Sequence, residues 1–205
     1  GTFLLSLTGR DEDLGWTGDL DITGDLDILG AGVGRTIIDA DGIDRVFHVF
    51  NGVTLNISGV TITGGDAGST AVGGGLLNQG TVRLTNTDVS GNLAGRGAGV
   101  FNAGALTAEN TTFRQNFANL QGGAIYNFQV GDLDGALAAG ATTLRIDDVT
   151  KFPSTGTFDI RIDAELLTVT AVDGDVFTVT RAVGGTIDAA HPDEGTVSLV
   201  GGGTV

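Results

Sequence analysis

The chain of 205 residues contains no cysteine and no methionine, only 2 prolines, 1 Trp and 1 Tyr, and only 10 Lys and Arg. Without cysteine there is no disulfide, no thiol nucleophile and no zinc–thiolate site. A chain without methionine cannot begin at its own initiator, so Gly1 is expected to follow a processed segment, for which a removed signal peptide is one source. Basic residues are outnumbered by 25 Asp and Glu, giving a formal charge of −15 and a pI near 4.1. Such a field repels phosphate backbones and anionic membrane surfaces and argues against a nucleic-acid partner. No apolar run approaches the 18 or so residues of a membrane-spanning helix, so no membrane insertion is expected. Charged residues make up 17% of the chain and hydrophobic ones 40%, a balance that builds a core instead of a disordered coil. The 36 glycines carry no three-residue period, which excludes collagen.

What is present is a repeat. Gly75-Leu-Leu-Asn78, Gly99-Val-Phe-Asn102 and Ala124-Ile-Tyr-Asn127 align with their asparagines 24 and 25 residues apart. Gly80 and Gly104, Asn86 and Asn110, Val89 and Phe113, Asn92 and Asn116, and Ala94 and Ala118 all recur at a spacing of 24. An earlier copy lays Asn51 on Asn78 at 27 residues. Within each unit the apolar period is two, as in Val53, Leu55 and Ile57, and the runs end in Gly, Asn and Asp. No capped run of helix formers reaches ten residues. Short strands repeating every 24 residues or so are the coils of a solenoid, with equivalent side chains about 4.8 Å apart. The expected fold class is all-β: a right-handed parallel β-helix over residues 1–130, followed by a small antiparallel β-barrel or sandwich module over 131–200. The last residues, 201–205, are expected to return to the β-helix or form a terminal strand.

Stacking predicts specific columns. Asn78, Asn102 and Asn127 form an asparagine ladder of side-chain amides. Leu76, Val100 and Ile125 fill one interior column, and Val89 and Phe113 another. Leu77, Phe101 and Tyr126 then point outward as an apolar ladder suited to sugar rings or a second protein.

These units, Gly97-Ala-Gly-Val-Phe-Asn102 and Gly122-Gly-Ala-Ile-Tyr-Asn127 with Asn110-Thr-Thr-Phe-Arg-Gln-Asn116 between them, resemble the repeats of polymorphic outer-membrane and autotransporter-like bacterial surface proteins. The resemblance spans roughly residues 18 to 130. It implies a secreted, cell-surface or extracellular β-helix, often adhesive, with no catalytic residue to transfer. After Asn127 the composition shifts, and alternating runs at Thr143–Val149, Thr157–Ile162, Leu166–Val172, Val176–Arg181 and Thr196–Val200 predict five strands. The string from Lys151-Phe-Pro-Ser-Thr-Gly156 through Asp163-Ala-Glu165 to His191 resembles a small β module of phage tail proteins and large exoproteins, which implies a spacer or attachment role.

Candidate chemistry is sparse. Asp19 and Asp21, and Asp25 and Asp27, alternate with Leu and Ile, so their carboxylates are expected to face solvent. Asp39, Asp41 and Asp44 form a D-x-D-G-x-D turn whose hard oxygens make calcium the one candidate cofactor. Polysaccharide hydrolysis or lysis requires two acids across one groove, yet the later coils are acid-poor and Arg83, Arg96 and Arg114 lack acidic partners nearby in sequence. His48 and His191 lie in different modules, and His48 reads as an outward surface histidine. The expected function is a non-catalytic structural or adhesive segment of a secreted cell-surface or fibre protein. Its expected partners are a second copy added end to end through strand edges, a glycan or a surface receptor. The alternatives are a phage-tail or polysaccharide-processing β-helix and a calcium-stabilised binding module.

Overall fold

The computed structural model describes residues 1–10, 16–128 and 130–200. The expected terminal strand at 201–205 lies outside the described residues. The chain divides into two compact units, Gly1–Asn127 and Phe128–Val205, each with its own apolar core. Among the described residues every regular element is a strand, apart from 3-10 turns at Val149–Lys151 and Val183–Gly185. Among the described residues no helix is long and apolar enough to cross a membrane.

The first unit is a parallel β-solenoid of about four turns. Sheet I stacks Leu20–Ile22, Phe47–Val49, Leu76–Asn78, Val100–Asn102 and Ile125–Asn127 in that order. Sheet II stacks Leu26–Leu29, Thr54–Ser58, Thr81–Thr85 and Ala105–Glu109, and sheet III stacks Thr2–Leu4, Ile37–Asp39, Thr61–Thr63, Asp88–Ser90 and Thr112–Arg114. A fourth, two-stranded sheet pairs Leu93–Arg96 with Phe117–Gln121. One coil visits sheets I, II and III in turn, so its hydrophobic period of two faces a shared interior three times. Phe47, Leu76 and Val100 from sheet I, Leu55, Ile57, Val82 and Leu84 from sheet II, and Ile62 and Val89 from sheet III are all but inaccessible and form one cluster. Each contributes about 1.5–3 kcal/mol by leaving water.

Register follows the repeat. Val100 pairs with Leu76 and Ile125, and Val89 with Phe113, as the spacing of 24 predicts. The earlier copy departs from its expected alignment. Its turn after sheet I is longer, Phe50–Val53 in place of Gln79 and Gly80, so Val49 and not Asn51 lies against Asn78. The offset of 27 holds in sheets II and III, where Thr54 pairs with Thr81 and Thr61 with Asp88. The asparagine ladder therefore starts at Asn78. Asn78 Nδ2 donates to Asn102 Oδ1 at 2.6 Å, and Asn102 Nδ2 to Asn127 Oδ1 at 2.6 Å. A second column forms where Asn92 Nδ2 donates to Asn116 Oδ1 at 3.0 Å.

Two recurrent corners explain the residue choices between strands. Gly73, Gly97 and Gly122 all take positive φ, at 71°, 59° and 66°, immediately before sheet I, a conformation in which a Cβ is strained. Asn86 and Asn110 take φ near 50° at equivalent turns, which asparagine tolerates better than most residues.

The second unit is an antiparallel half-barrel of six strands in the order Val130–Asp132, Thr196–Val200, Phe158–Ile162, Glu165–Asp173, Val176–Thr180 and Thr143–Arg145. All five expected runs are strands; Val130–Asp132 is an additional one. The run from Thr143 ends early because the Asp148 side chain accepts from the Thr150 amide and starts a 3-10 turn. Phe177 is fully buried and meets Phe152 and Phe158 edge-on at 5.6 and 5.7 Å.

Asn102→Ala removes the middle rung of the ladder and leaves the buried Asn78 and the half-buried Asn127 each short of a partner. It is expected to destabilise the solenoid by about 2–4 kcal/mol, measured by urea unfolding, whereas Asn119→Ala on the exposed surface leaves stability within about 0.5 kcal/mol of the parent.

Candidate functional site

The first two strands of sheet I pair Leu20 with Phe47, Asp21 with His48 and Ile22 with Val49. Because Phe47 and Val49 fill the interior, Asp21 and His48 share the opposite face of the sheet. Asp19 and Asp44 and Arg45 flank these strands. The sequence places Asp19, Asp21 and His48 in solvent; the structure buries Asp19, Asp44, Arg45 and His48 to between 1% and 6% exposure, and the Asp21 side chain to 1%. Part of their cover comes from residues that precede Leu20–Ile22: Gly18 donates its amide to Leu7 O, and a Cβ on Gly18 would lie 2.6 Å from Gly9 O and 2.9 Å from an Asp44 carboxylate oxygen, so Gly9 and Gly18 stand close to this cluster.

Within it, Arg45 Nη1 donates to Asp19 Oδ2 at 3.1 Å, and the Arg45 amide donates to Asp44 Oδ1 at 2.7 Å. Asp19 Oδ1 is buried without a hydrogen-bond partner among the described residues. Burial pushes the Asp19 carboxyl up to about 7; Arg45 opposes this and the carboxylates of Asp44 and Asp21 add to it. His48 Nε2 lies 3.2 Å from Gln79 Oε1, its Nδ1 lies 3.6 Å from Asp21 Oδ1, and its ring stacks on Phe50 at 4.0 Å. One carboxylate oxygen from each of Asp19 and Asp21 and one ring nitrogen of His48 lie within 4.8 Å of one another.

The calcium candidates do not share a centre of this kind. Asp39 Oδ1 accepts from the Asp41 amide at 2.9 Å as a local turn, Asp41 is exposed, and Asp44 is turned into the buried cluster beside Arg45. Among the described residues, the one group in which three potential ligands converge is Asp19, Asp21 and His48. The apolar ladder does form a column, since Phe101 pairs with Leu77 and Tyr126 and stacks on Tyr126 at 5.4 Å. It is not an open strip: Leu77 and Phe101 are 8% and 9% exposed, and Tyr126 is half-buried.

Stacking also supplies partners that sequence distance concealed. Arg83 Nη2 meets Glu109 Oε1 at 2.6 Å and Arg114 Nη2 meets Asp88 Oδ2 at 2.6 Å, each pair 26 residues apart. Asp88 and Arg114, with Asn86, Asn110, Thr112 and Val33, line an open cleft of about 380 Å³.

A second buried ionic group occupies the half-barrel. Glu165 receives both Arg181 Nε at 2.7 Å and Nη2 at 2.6 Å, the amides of Ala182 and Ala189 at 3.2 and 3.1 Å, and lies 2.9 Å from His191 Nε2. His191 Nδ1 lies 2.9 Å from Asp163 Oδ2. Arg181 also donates to the carbonyls of Ala138 and Ala189. Sequence reasoning names Asp163 and Glu165 as parts of a resemblance, and His191 there and as the histidine of the second module. Their signal, acids spaced by one residue at a hairpin and a distant histidine, does not reveal an Arg181 clamp. Together these contacts join strand ends to the 182–191 loop and to Ala138.

No protein-family model matches the chain, and no curated protein matches it.

The Arg181 guanidinium holds the Glu165 carboxyl at about 2, against 4.5 ordinarily. A lowered carboxyl stabilises the fold in full above the unfolded value, and that contribution is lost as pH falls from about 4.5 towards 2. The shift corresponds to about 3 kcal/mol. Amide exchange of Leu167 and Val169 is expected to slow far less in Glu165→Gln than in the parent as pH is raised from 2 to 5, after correction for intrinsic exchange.

Proposed function

We propose that this chain is a non-catalytic structural and adhesive segment of a secreted cell-surface or extracellular-fibre protein, which associates end to end through its terminal strands. The observation that carries the reading is the state of those strands. Thr2–Leu4 is the edge of sheet III, and all three of its residues are exposed. Phe3 and Leu4 are 62% and 55% exposed, and on the edge strand of the fourth sheet Phe117 and Leu120 are 62% and 55% exposed. Edge strands of this kind carry unpaired N–H and C=O groups beside apolar side chains, and adding a further strand satisfies both.

Three further features support the reading. A stack of similar coils extends without a new core at each step, so a second copy continues the pattern instead of interrupting it. The resemblance of the Gly-Gly-Ala-Ile-Tyr-Asn127 unit to repeats of bacterial surface proteins favours display outside the cell. For the adhesive part, the cleft beside Asn86, Asn110 and Arg114 offers amide and guanidinium donors to the hydroxyls of a glycan. The buried ionic group of the half-barrel holds its own strands together and leaves no ring nitrogen of His191 idle, which favours a scaffold over a catalyst.

Sedimentation velocity across a hundredfold range of concentration, with electron microscopy of the most concentrated sample, tests the association. Oligomers or filaments that grow with concentration are expected, and Leu4→Lys or Leu120→Lys at the edges is expected to shift the distribution to monomer. A monodisperse monomer throughout sinks the proposal.

A further inference from the structure

We infer that Asp19, Asp21 and His48 form a binding site for one divalent metal ion of the borderline class that imidazole and carboxylate share, with zinc as its representative. The inference is separate from the association proposed above.

Four observations lead there. The first is convergence, because a carboxylate oxygen from each aspartate and a ring nitrogen of His48 lie within 4.8 Å of one another. Neighbouring ligands of a tetrahedral zinc ion, each about 2.0–2.1 Å from the metal, stand about 3.3 Å apart, and His48 Nδ1 stands 3.6 Å from Asp21 Oδ1. That separation is too long for a good hydrogen bond and close to a coordination edge.

The second observation is the outer partner of the histidine. With Nε2–H donated to Gln79 Oε1 at 3.2 Å, the lone pair of the ring is on Nδ1, the nitrogen that faces Asp21. A metal-bound imidazole characteristically donates its other N–H to such an acceptor, which fixes both tautomer and ring orientation. Stacking on Phe50 at 4.0 Å holds the ring in the same plane.

The third is Asp19. Its Oδ2 is taken by Arg45, while its Oδ1 is buried with no hydrogen-bond partner among the described residues. Leaving a carboxylate oxygen buried and unsatisfied costs about 1–3 kcal/mol or more, and a metal bond at Oδ1 removes that cost while Arg45 continues to orient the group through Oδ2.

The fourth is the donor set, one imidazole nitrogen and two carboxylate oxygens from side chains that are nearly inaccessible. Imidazole nitrogen with carboxylate oxygens selects zinc and its neighbours over calcium and magnesium, which prefer all-oxygen shells. Bound there, the ion joins Leu20–Ile22 to Phe47–Val49 across sheet I and fastens the first coil to the second.

The whole chain, stripped with chelator and dialysed, is titrated with Zn²⁺ by calorimetry and followed by thermal unfolding. One equivalent is expected to bind with micromolar or tighter affinity and to raise the melting temperature, and Ca²⁺ at the same concentration is expected to do neither. Co²⁺ is expected to shift or broaden the ring proton resonances of His48 and to leave those of His191 in place. Asp19→Asn and His48→Ala are expected to abolish the zinc effect. If either variant fails to fold, Gln79→Ala, which removes only the outer acceptor, is expected to weaken zinc binding by about 10- to 100-fold. Absence of saturable zinc binding, binding that persists unchanged in these variants, or a Co²⁺ effect on His191 in place of His48 overturns the assignment.

Discussion

Each coil of the solenoid bonds its strands only to the coils on either side, so the nearest neighbours of a side chain are its own equivalents one repeat away. Val100 touches the places of Leu76 and Ile125, and Phe101 those of Leu77 and Tyr126. A column of residues, not a residue, is therefore the unit on which packing acts. Interior columns are apolar because a single polar member would lie between buried aliphatic neighbours with nothing to bond. The asparagine column is the exception that satisfies itself, since each side-chain amide donates to the one in the next coil and, in Asn78 and Asn102, also to a backbone carbonyl.

The same constraint explains how much could be read from the amino acids. The interval of 24, the alternation of Val53, Leu55 and Ile57, and the Asn78, Asn102 and Asn127 column are local or strictly periodic signals, and the parallel solenoid follows from them. The antiparallel half-barrel was legible from five alternating runs separated by turn residues. Two things were not. The turn at Phe50–Val53 carries extra residues, and nothing in its composition says whether they shift sheet I or sheet II, so the repeat aligns Asn51 with Asn78 whereas Val49 occupies that place. Burial on the outer faces was also hidden. Period two tells which side of a strand a residue takes but not whether another segment covers that side, which is why Asp19, Asp21 and His48 read as solvated and Leu77 and Phe101 as an open strip.

Charge is where stacking is most restrictive. Two like charges one strand spacing apart, about 4.8 Å, repel by about 3.5 kcal/mol at an effective dielectric constant of 20, so a repeating coil cannot repeat a charged residue in one column without penalty. The outer face of sheet II shows the remedy. Asp27, Asn56 and Arg83 occupy successive positions in one column, and Asn56 Nδ2 donates to Asp27 Oδ1 at 2.7 Å, so the column runs acid, amide, base and repeats no charge. Arg83 then reaches Glu109, and Arg114 reaches Asp88, each across one coil. These exposed or half-exposed pairs contribute little individually, but they remove the repulsion that a literal repeat would create.

Sheet I resolves the same problem differently at its first edge. The column that runs Asp21, His48, Leu77, Phe101 and Tyr126 is ionisable only in its first two members and apolar in the rest. Its polar end is also the end at which no further coil supplies backbone partners to Leu20–Ile22 among the described residues. A carboxylate and an imidazole can hold a cation between them, whereas leucine and phenylalanine cannot. The coil that receives least support from strand pairing is thus the one whose side chains are able to add a bond of another kind, and the acid-rich composition of the first fifty residues acquires a physical reason. Carboxylates gathered in the first described coil are not repeated in the next ones, and so they escape the repulsion that a column of like charges would create.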